Sequence, residues 1–261
     1  MTHPSQLESA TPRMRSAAIE ARGLTGPASN PGIFDITFAA PRLRTSCILG
    51  GIHSGKTLLM RHLVGLEQAA QGELVVDGED YDPCGEPEVV VRRMRTRMGV
   101  VFQGAALISR LTVLENVELP LLEHTSATPE EAREAAHQLL VEVGMTLSED
   151  TTPDRLDRAA QRRVALARAL ALRPPVLLLD EPTHDLDPGA AAELDDTLAA
   201  LQSARGFAVV IFSHEVRYAF GRASQIYVMA NGTIIDSGNP ETLQRSEHEV
   251  VRRLLDRRGF A

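Results

Sequence analysis

A single lysine stands in this chain against 26 arginines, and it lies within Gly50-Gly51-Ile52-His53-Ser54-Gly55-Lys56-Thr57. The segment fits G-x-x-x-x-G-K-[ST], with an apolar stretch before it and a helical one after it. Backbone N–H groups of such a loop wrap phosphate oxygens, and the N-terminus of the following helix adds positive potential. Lys56 places a compact charge between β- and γ-phosphates, and Thr57 offers a hydroxyl to Mg2+. The planar fork of an arginine is too bulky for that loop, which accounts for the lone lysine. Further along, Val176-Leu177-Leu178-Leu179-Asp180-Glu181-Pro182 sets an apolar run before two carboxylates. Asp180 emerges at the carboxyl end of a buried strand, where ligands bind in parallel sheets, and helps to hold Mg2+. Glu181 is placed to polarise an attacking water. The chemistry these residues imply is cleavage of a nucleoside triphosphate.

Alternating strands and helices are needed to hold these groups. Ala18–Leu24, Ile33–Phe38, Ser46–Leu49, Glu73–Asp77 and Met98–Phe102 read as strands, with a turn at Asp77-Gly78. Val176–Leu179 and Ala208–Phe212 are unbroken apolar runs, as buried parallel strands require. Thr57–Leu66, Pro129–Val143 and Gln161–Leu172 read as helices, the second capped by Thr128 with Pro129 in its first position. Gln225–Met229 and Thr233–Asp236 flank Asn231-Gly232, a hairpin signal. Pro240–Arg257 reads as a terminal helical region. The pattern predicts a mixed α/β core with a helical lobe near 103–165.

Composition narrows the class. The chain has 261 residues, 43% of them hydrophobic, enough for one domain with an inserted lobe. No apolar run approaches the roughly 18 residues needed to cross a bilayer. Residues 1–16 contain no apolar stretch, so they are expected to be a disordered tail and not a secretory signal. Cys47 and Cys84 form neither a disulfide framework nor a metal spacing, and read as small residues in a reducing cytoplasm. The net charge of −8 argues against a dedicated nucleic-acid binder. Arg92, Arg93, Arg95 and Arg97 read as a solvated helix face.

Over about residues 17–245 the sequence resembles the ABC-transporter ATPases. Beyond the two motifs above, Val101-Phe102-Gln103 resembles the Q-loop and Phe212-Ser213-His214 the strand end that carries the switch histidine. The resemblance implies that Gln103 contacts Mg2+ and water and that His214 lies near the γ-phosphate. His184-Asp185-Leu186-Asp187 resembles the D-loop of the dimer interface. The implied fold is a P-loop NTPase core of ABC type with an inserted helical subdomain and an antiparallel β part, followed by a helical tail over 246–261. The implied cofactors are ATP and Mg2+, bound by Gly50, Gly51, Ile52, His53, Ser54, Gly55, Lys56, Thr57, Gln103 and Asp180. Thr57, Gln103 and Asp180 would be the Mg2+ contacts, and Glu181 and His214 the catalytic pair. The implied partners are an integral membrane permease and a second ATPase subunit, identical or different, at the inner face of the cell membrane. The stretch Phe102–Leu107, Leu111–Val117 and Leu119–Thr125, with its Glu123-His124-Thr125, is similar to ATPases of Mla/Mce-type lipid transporters.

The resemblance fails in three places. His53 stands where a glycine is commoner, a tolerated substitution with a small backbone cost if φ is positive. Residues 24–30 lack the aromatic that relatives stack on adenine. The signature L-S-G-G-Q reads Leu156-Asp157-Arg158-Ala159-Ala160, although Arg163-Val164-Ala165-Leu166-Ala167-Arg168-Ala169 after it is intact. In the family that segment caps the ATP of the opposite subunit. Asp157 would set a carboxylate near the γ-phosphate, or would simply cap the helix. Two readings follow: a transport ATPase completed by its partner, or a weakly active ATP-binding or assembly subunit.

Overall fold

The computed structural model describes residues 17–27, 32–94, 96–145 and 150–256. The tail expected over 1–16, the basic Arg95, residues 28–30 of the non-aromatic stretch and residues 257–261 of the terminal segment lie outside the described residues. In chain order the strands are β1 Ala17–Thr25, β2 Ile36–Pro41, β3 Thr45–Gly50, β4 Gln71–Val76, β5 Glu79–Tyr81, β6 Met98–Val101, β7 Val176–Asp180, β8 Ala208–Ser213, β9 Gln225–Ala230 and β10 Thr233–Gly238. The helices are α1 Lys56–Leu63, α2 Pro87–Met94, α3 Val113–His124, α4 Pro129–Glu142, α5 Arg158–Leu170, α6 Pro188–Arg205, α7 Val216–Arg222, α8 Pro240–Gln244 and α9 Glu249–Asp256.

Two sheets form. One is antiparallel, in the order β2-β1-β4-β5; the other runs β10-β9-β3-β8-β7-β6. In the second, β9, β3, β8, β7 and β6 are parallel and only β10 returns antiparallel. Every residue of β7 and β8 is buried, because covered parallel strands have no wet face; that is why both read as continuous apolar runs. Inward side chains of β3 alternate between two cores: Cys47 and Leu49 join one, Ile48 the other. The first core reaches into the lobe of α3, α4 and α5; the second fills the space between the sheets and α1.

Helix starts in the lobe follow from local chemistry. Thr112 and Thr128 each form a capping box, with Glu115 and Glu131 respectively, worth about 1 kcal/mol per cap. Asp187 caps α6 by accepting from Gly189 and Ala190, with Pro188 in its first turn.

Several elements differ from the sequence reading. The strand expected over Ile33–Phe38 begins only at Ile36, since Asp35 takes a left-handed φ of 50° and the Phe34 amide donates to Gly232 of the β9–β10 turn. The helix expected over Thr57–Leu66 ends at Leu63. The helix expected from Gln161 starts at Arg158, where Asp157 caps it. The terminal helical region breaks into α8 and α9, and Val251 and Leu255 of α9 pack into the first core. Arg97 does not share a helix face with Arg92 and Arg93. It follows α2 and pairs with Asp77 and Glu79.

Candidate functional site

The sheet brings the predicted residues to one edge. β3 pairs with β8 so that Leu49 faces Ser213, β7 pairs with β8 so that Asp180 faces Phe212, and β6 pairs with β7 so that Val101 faces Leu179. The carboxyl ends of four neighbouring strands therefore lie side by side. The Gly50–Thr57 loop leaves β3, Gln103 follows β6, Asp180 and Glu181 leave β7, and His214 follows β8.

The loop is shaped by close approach. A Cβ on Gly50 would meet Met229 O at 2.5 Å and Ser54 Oγ at 2.6 Å, so a larger residue there would displace backbone. Gly55 has φ 101° and precedes the first turn of α1, a conformation open to glycine. The loop's rim rests on the β9–β10 hairpin, where Gly232 N–H donates to Ser54 O at 2.9 Å. His53 carries φ 65°, so its small backbone cost is real. Its side chain and that of Ile52 are exposed.

Lys56 is 8% exposed. Its Nζ donates to Gly50 O at 2.8 Å and Gly51 O at 3.0 Å and lies 3.9 Å from Glu181 Oε1. Burial, partly offset by the Glu181 and Asp180 charges, pulls its pKa below the ordinary lysine range. The ammonium thus occupies the mouth of the loop among backbone and carboxylate oxygens, the placement a phosphate would take over.

Asp180 and Glu181 are both buried. Asp180 Oδ1 is fully covered and has no hydrogen-bond partner among the described residues, while the nearby Thr57 hydroxyl draws the pKa of this carboxyl down against burial. Burial first, then the adjacent Glu181 charge, pushes the Asp180 pKa up to about 6. An unsatisfied buried carboxylate oxygen beside a hydroxyl fits a hard, oxygen-seeking cation such as Mg2+; Asp180 and Thr57 are the residues that would hold it. When bound, Mg2+ supplies charge neutralisation to the phosphates.

A carboxyl held near 6, against 3.8 ordinarily, costs the unliganded fold up to about 3 kcal/mol at pH 7. The folded pKa lies above the unfolded one, so the cost is complete above pH 6 and disappears as pH falls from 6 toward 4. Asp180→Asn is expected to raise the Tm of the nucleotide-free protein at pH 7 by several degrees, with less gain at pH 5, and to remove the further stabilisation by Mg2+ in the presence of ATP. Thermal melts at the two pH values check it; a lower Tm for the variant at pH 7 contradicts it.

Glu181 is held at both oxygens. Oε1 lies 2.8 Å from His214 Nδ1, and Ser213 Oγ donates to Oε2 at 3.1 Å. Its backbone, at φ 46°, donates to Phe212 O; this left-handed turn swings the carboxylate from the strand end toward the loop. Lys56, Glu181 and His214 therefore form one contiguous cluster. Gln103 is exposed in the turn after β6, on the strand next to the one that Glu181 follows.

Four site-supporting residues were not assigned from the sequence. Ser213 fixes the Glu181 carboxylate. Arg162 donates to Phe102 O at 2.6 Å, and Arg168 to Ala105 O and Ala106 O; these bonds tie the loop carrying Gln103 to α5, through Ala105 and Ala106 at left-handed φ. Only the Arg-x-x-x-x-x-Arg spacing on one amphipathic helix hints at that role. Asn116, fully buried, accepts from Ile108 N–H and donates to the carbonyls of Ile108 and Thr112, which steadies the far end of the same loop.

The altered signature is also placed. Asp157 Oδ1 accepts from Ala160 N at 2.7 Å, capping α5. Arg158 pairs at 2.6 Å with Asp185, in the turn after β7, and so does not lie against Asp157.

A parallel sheet with a glycine-rich loop, a buried lysine and two carboxylates at its carboxyl edge defines a P-loop nucleotide-binding protein. The family model described as ABC transporter matches residues 33–184. The glutamine transport ATP-binding protein GlnQ of Escherichia coli K12 is 38% identical over 196 residues, covering 75% of this chain and 80% of that protein. The intermembrane phospholipid transport system ATP-binding protein MlaF of the same strain is 31% identical over 239 residues, covering 91% and 88%. Among solved structures, the dimeric post-hydrolysis state of the ATP-binding cassette MJ0796 bound to ADP and Pi is similar with a TM-score of 0.76 at 26% identity, covering 85% of this chain and 98% of that one. The chain belongs to the ABC transporter family and is an ATP-binding subunit, with ATP and Mg2+ as its cofactors. Proteins of this family dimerise and work with membrane permease subunits. No helix among the described residues is long and apolar enough to cross a membrane.

Proposed function

We propose that this chain binds MgATP through Gly50–Thr57, Asp180 and Gln103, and couples its hydrolysis to lipid movement by a membrane permease. The observation that carries the reading is the Lys56–Glu181–His214 cluster beside the unpartnered Asp180 oxygen. Lys56 and the loop amides bind the phosphates. Glu181, immobilised by Ser213 and His214, accepts the proton of the attacking water, and His214 faces the γ-phosphate. In this reading the chain works in the cytoplasm, peripheral on the inner face of the cell membrane.

What the chain supplies in trans is different. Leu156–Ala160 replaces the usual serine and glycines with a carboxylate, a guanidinium and a methyl group. We read the homodimer as a poor hydrolase and a heterodimer with an intact signature as the working form. The lipid assignment is supported by the 102–125 lobe and by the similarity to MlaF across nearly the whole chain. The higher identity to GlnQ over a shorter span favours amino-acid transport as the second reading. The permease that co-purifies with the full chain, assayed in vesicles for phospholipid or glutamine movement, separates the two.

Glu181→Gln keeps the shape of the site and removes the proton acceptor. It is expected to retain ATP while lowering turnover by at least about a hundredfold, the usual scale of a lost general base. The check is nucleotide retention alongside single-turnover phosphate release in the complex that hydrolyses ATP. Equal release by the variant contradicts the role.

A further inference from the structure

We propose that His184, His214 and Glu215 form a site for a borderline-soft divalent metal such as Zn2+. One donor atom from each lies within 4.8 Å of the other two. The two imidazoles meet edge to face, with ring centroids 5.6 Å apart.

The backbone holds the three together. His184 N–H donates to Glu181 O, and Glu215 N–H donates to Ser213 Oγ, so both turns hang from the paired ends of β7 and β8. The imidazoles are also oriented. Glu181 Oε1 occupies His214 Nδ1 at 2.8 Å and leaves Nε2 as the nitrogen available to a metal. Asp185 Oδ1 lies 3.4 Å from His184 Nε2, so a carboxylate backs this ring as well. Carboxylates behind histidines are the outer shell that raises ligand basicity and fixes the ring in metal sites.

Donor chemistry selects the metal. Two imidazoles and one carboxylate suit Zn2+ and its transition-metal neighbours, whereas Mg2+ seeks oxygen alone. Zn2+ sits about 2.1 Å from its donors, which places them about 3.4 Å apart in a tetrahedron. His184 is partly exposed, at 35% of its side-chain area, and Glu215 is half-buried, so rotation of these two side chains can close the remaining distance onto a His214 held by Glu181, without moving the strands. Three protein donors leave a fourth position for water. His184 stands in the segment read as the D-loop, to which the sequence assigned no ligand. A cation here would withdraw His214 from nucleotide; that consequence rests on the reading of His214 above, whereas metal binding does not.

The test uses the full chain free of nucleotide and Mg2+. Zn2+ affinity is measured by competition with a chromophoric chelator, and Co2+ is added separately to follow its d–d absorption. One Zn2+ per chain is expected, with intense visible bands for Co2+. His184→Ala and Glu215→Gln should each weaken Zn2+ binding at least tenfold while keeping ATP affinity and the far-UV spectrum. Wild-type protein that takes up no Zn2+, or variants that bind it as tightly as wild type, would overturn the assignment.

Discussion

Lys56→Ala is expected to weaken MgATP binding by at least about a hundredfold. The ammonium is the one lysine in the chain, and in the unliganded site it already sits among Gly50 O, Gly51 O and Glu181 Oε1. Removing it takes away the central countercharge to the phosphates and leaves the Asp180 and Glu181 carboxylates with less opposing charge. Deleting one partner of a buried, hydrogen-bonded charge pair costs about 3 kcal/mol, which is roughly two decades in Kd. Lys56→Arg is expected to fail as well: a guanidinium cannot enter the space bounded by the two loop carbonyls and Glu181 without displacing backbone. Calorimetry on both variants is the check. Affinity near that of the wild type for Lys56→Ala would remove the loop from the nucleotide site.

The second large effect concerns the signature. Restoring Leu-Ser-Gly-Gly through Asp157→Ser, Arg158→Gly and Ala159→Gly is expected to raise the ATP turnover of the chain alone at least about tenfold. Asp157 caps α5 with one oxygen, and among the described residues no cation pairs with it, Arg158 being turned to Asp185. In a closed dimer that carboxylate would face the phosphates of the opposite site. Two unit charges 4 Å apart repel by about 4 kcal/mol at an effective dielectric near 20, and each 1.36 kcal/mol of barrier is about tenfold in rate. Serine caps nearly as well as aspartate, so α5 should keep its start. The Arg158–Asp185 pair is exposed and worth at most about 1 kcal/mol, so its loss leaves the fold intact.

Residues with strong local signals were legible in the sequence. The loop, the β7 carboxylates, the hairpin at Asn231-Gly232 and the Thr128 cap all follow from short-range chemistry, and each lies where it was read. His214 of the cluster, and Gln103 beside it on the next strand end, were legible only through a family resemblance, since a histidine after a buried strand carries no signal of what it faces. Register supplied what spacing did not: β8 sets Ser213 and His214 against Glu181 only because it pairs beside β7. The longest helix, α6, passed unread although Asp187-Pro188 and Gly206 mark its ends; its Ala-rich face buries only Leu194, Leu198 and Leu201, too thin a stripe to announce itself. α3 was hidden by Pro120 inside it. The roles of Arg162 and Arg168 depend on carbonyls some sixty positions away in the chain, which no local pattern reports.

A complete nucleotide site in cis joined to a defective one in trans would bind ATP fully and still turn it over poorly. Both quantities can be followed in one sample of the isolated full chain, as ATP occupancy and phosphate release, with the restored-signature variant beside it. The wild-type chain is expected to be saturated with MgATP and to release phosphate slowly or not at all, while the restored variant, equally saturated, releases it at least about ten times faster. Wild-type release already at the restored variant's rate, at equal occupancy, would contradict the defect in trans.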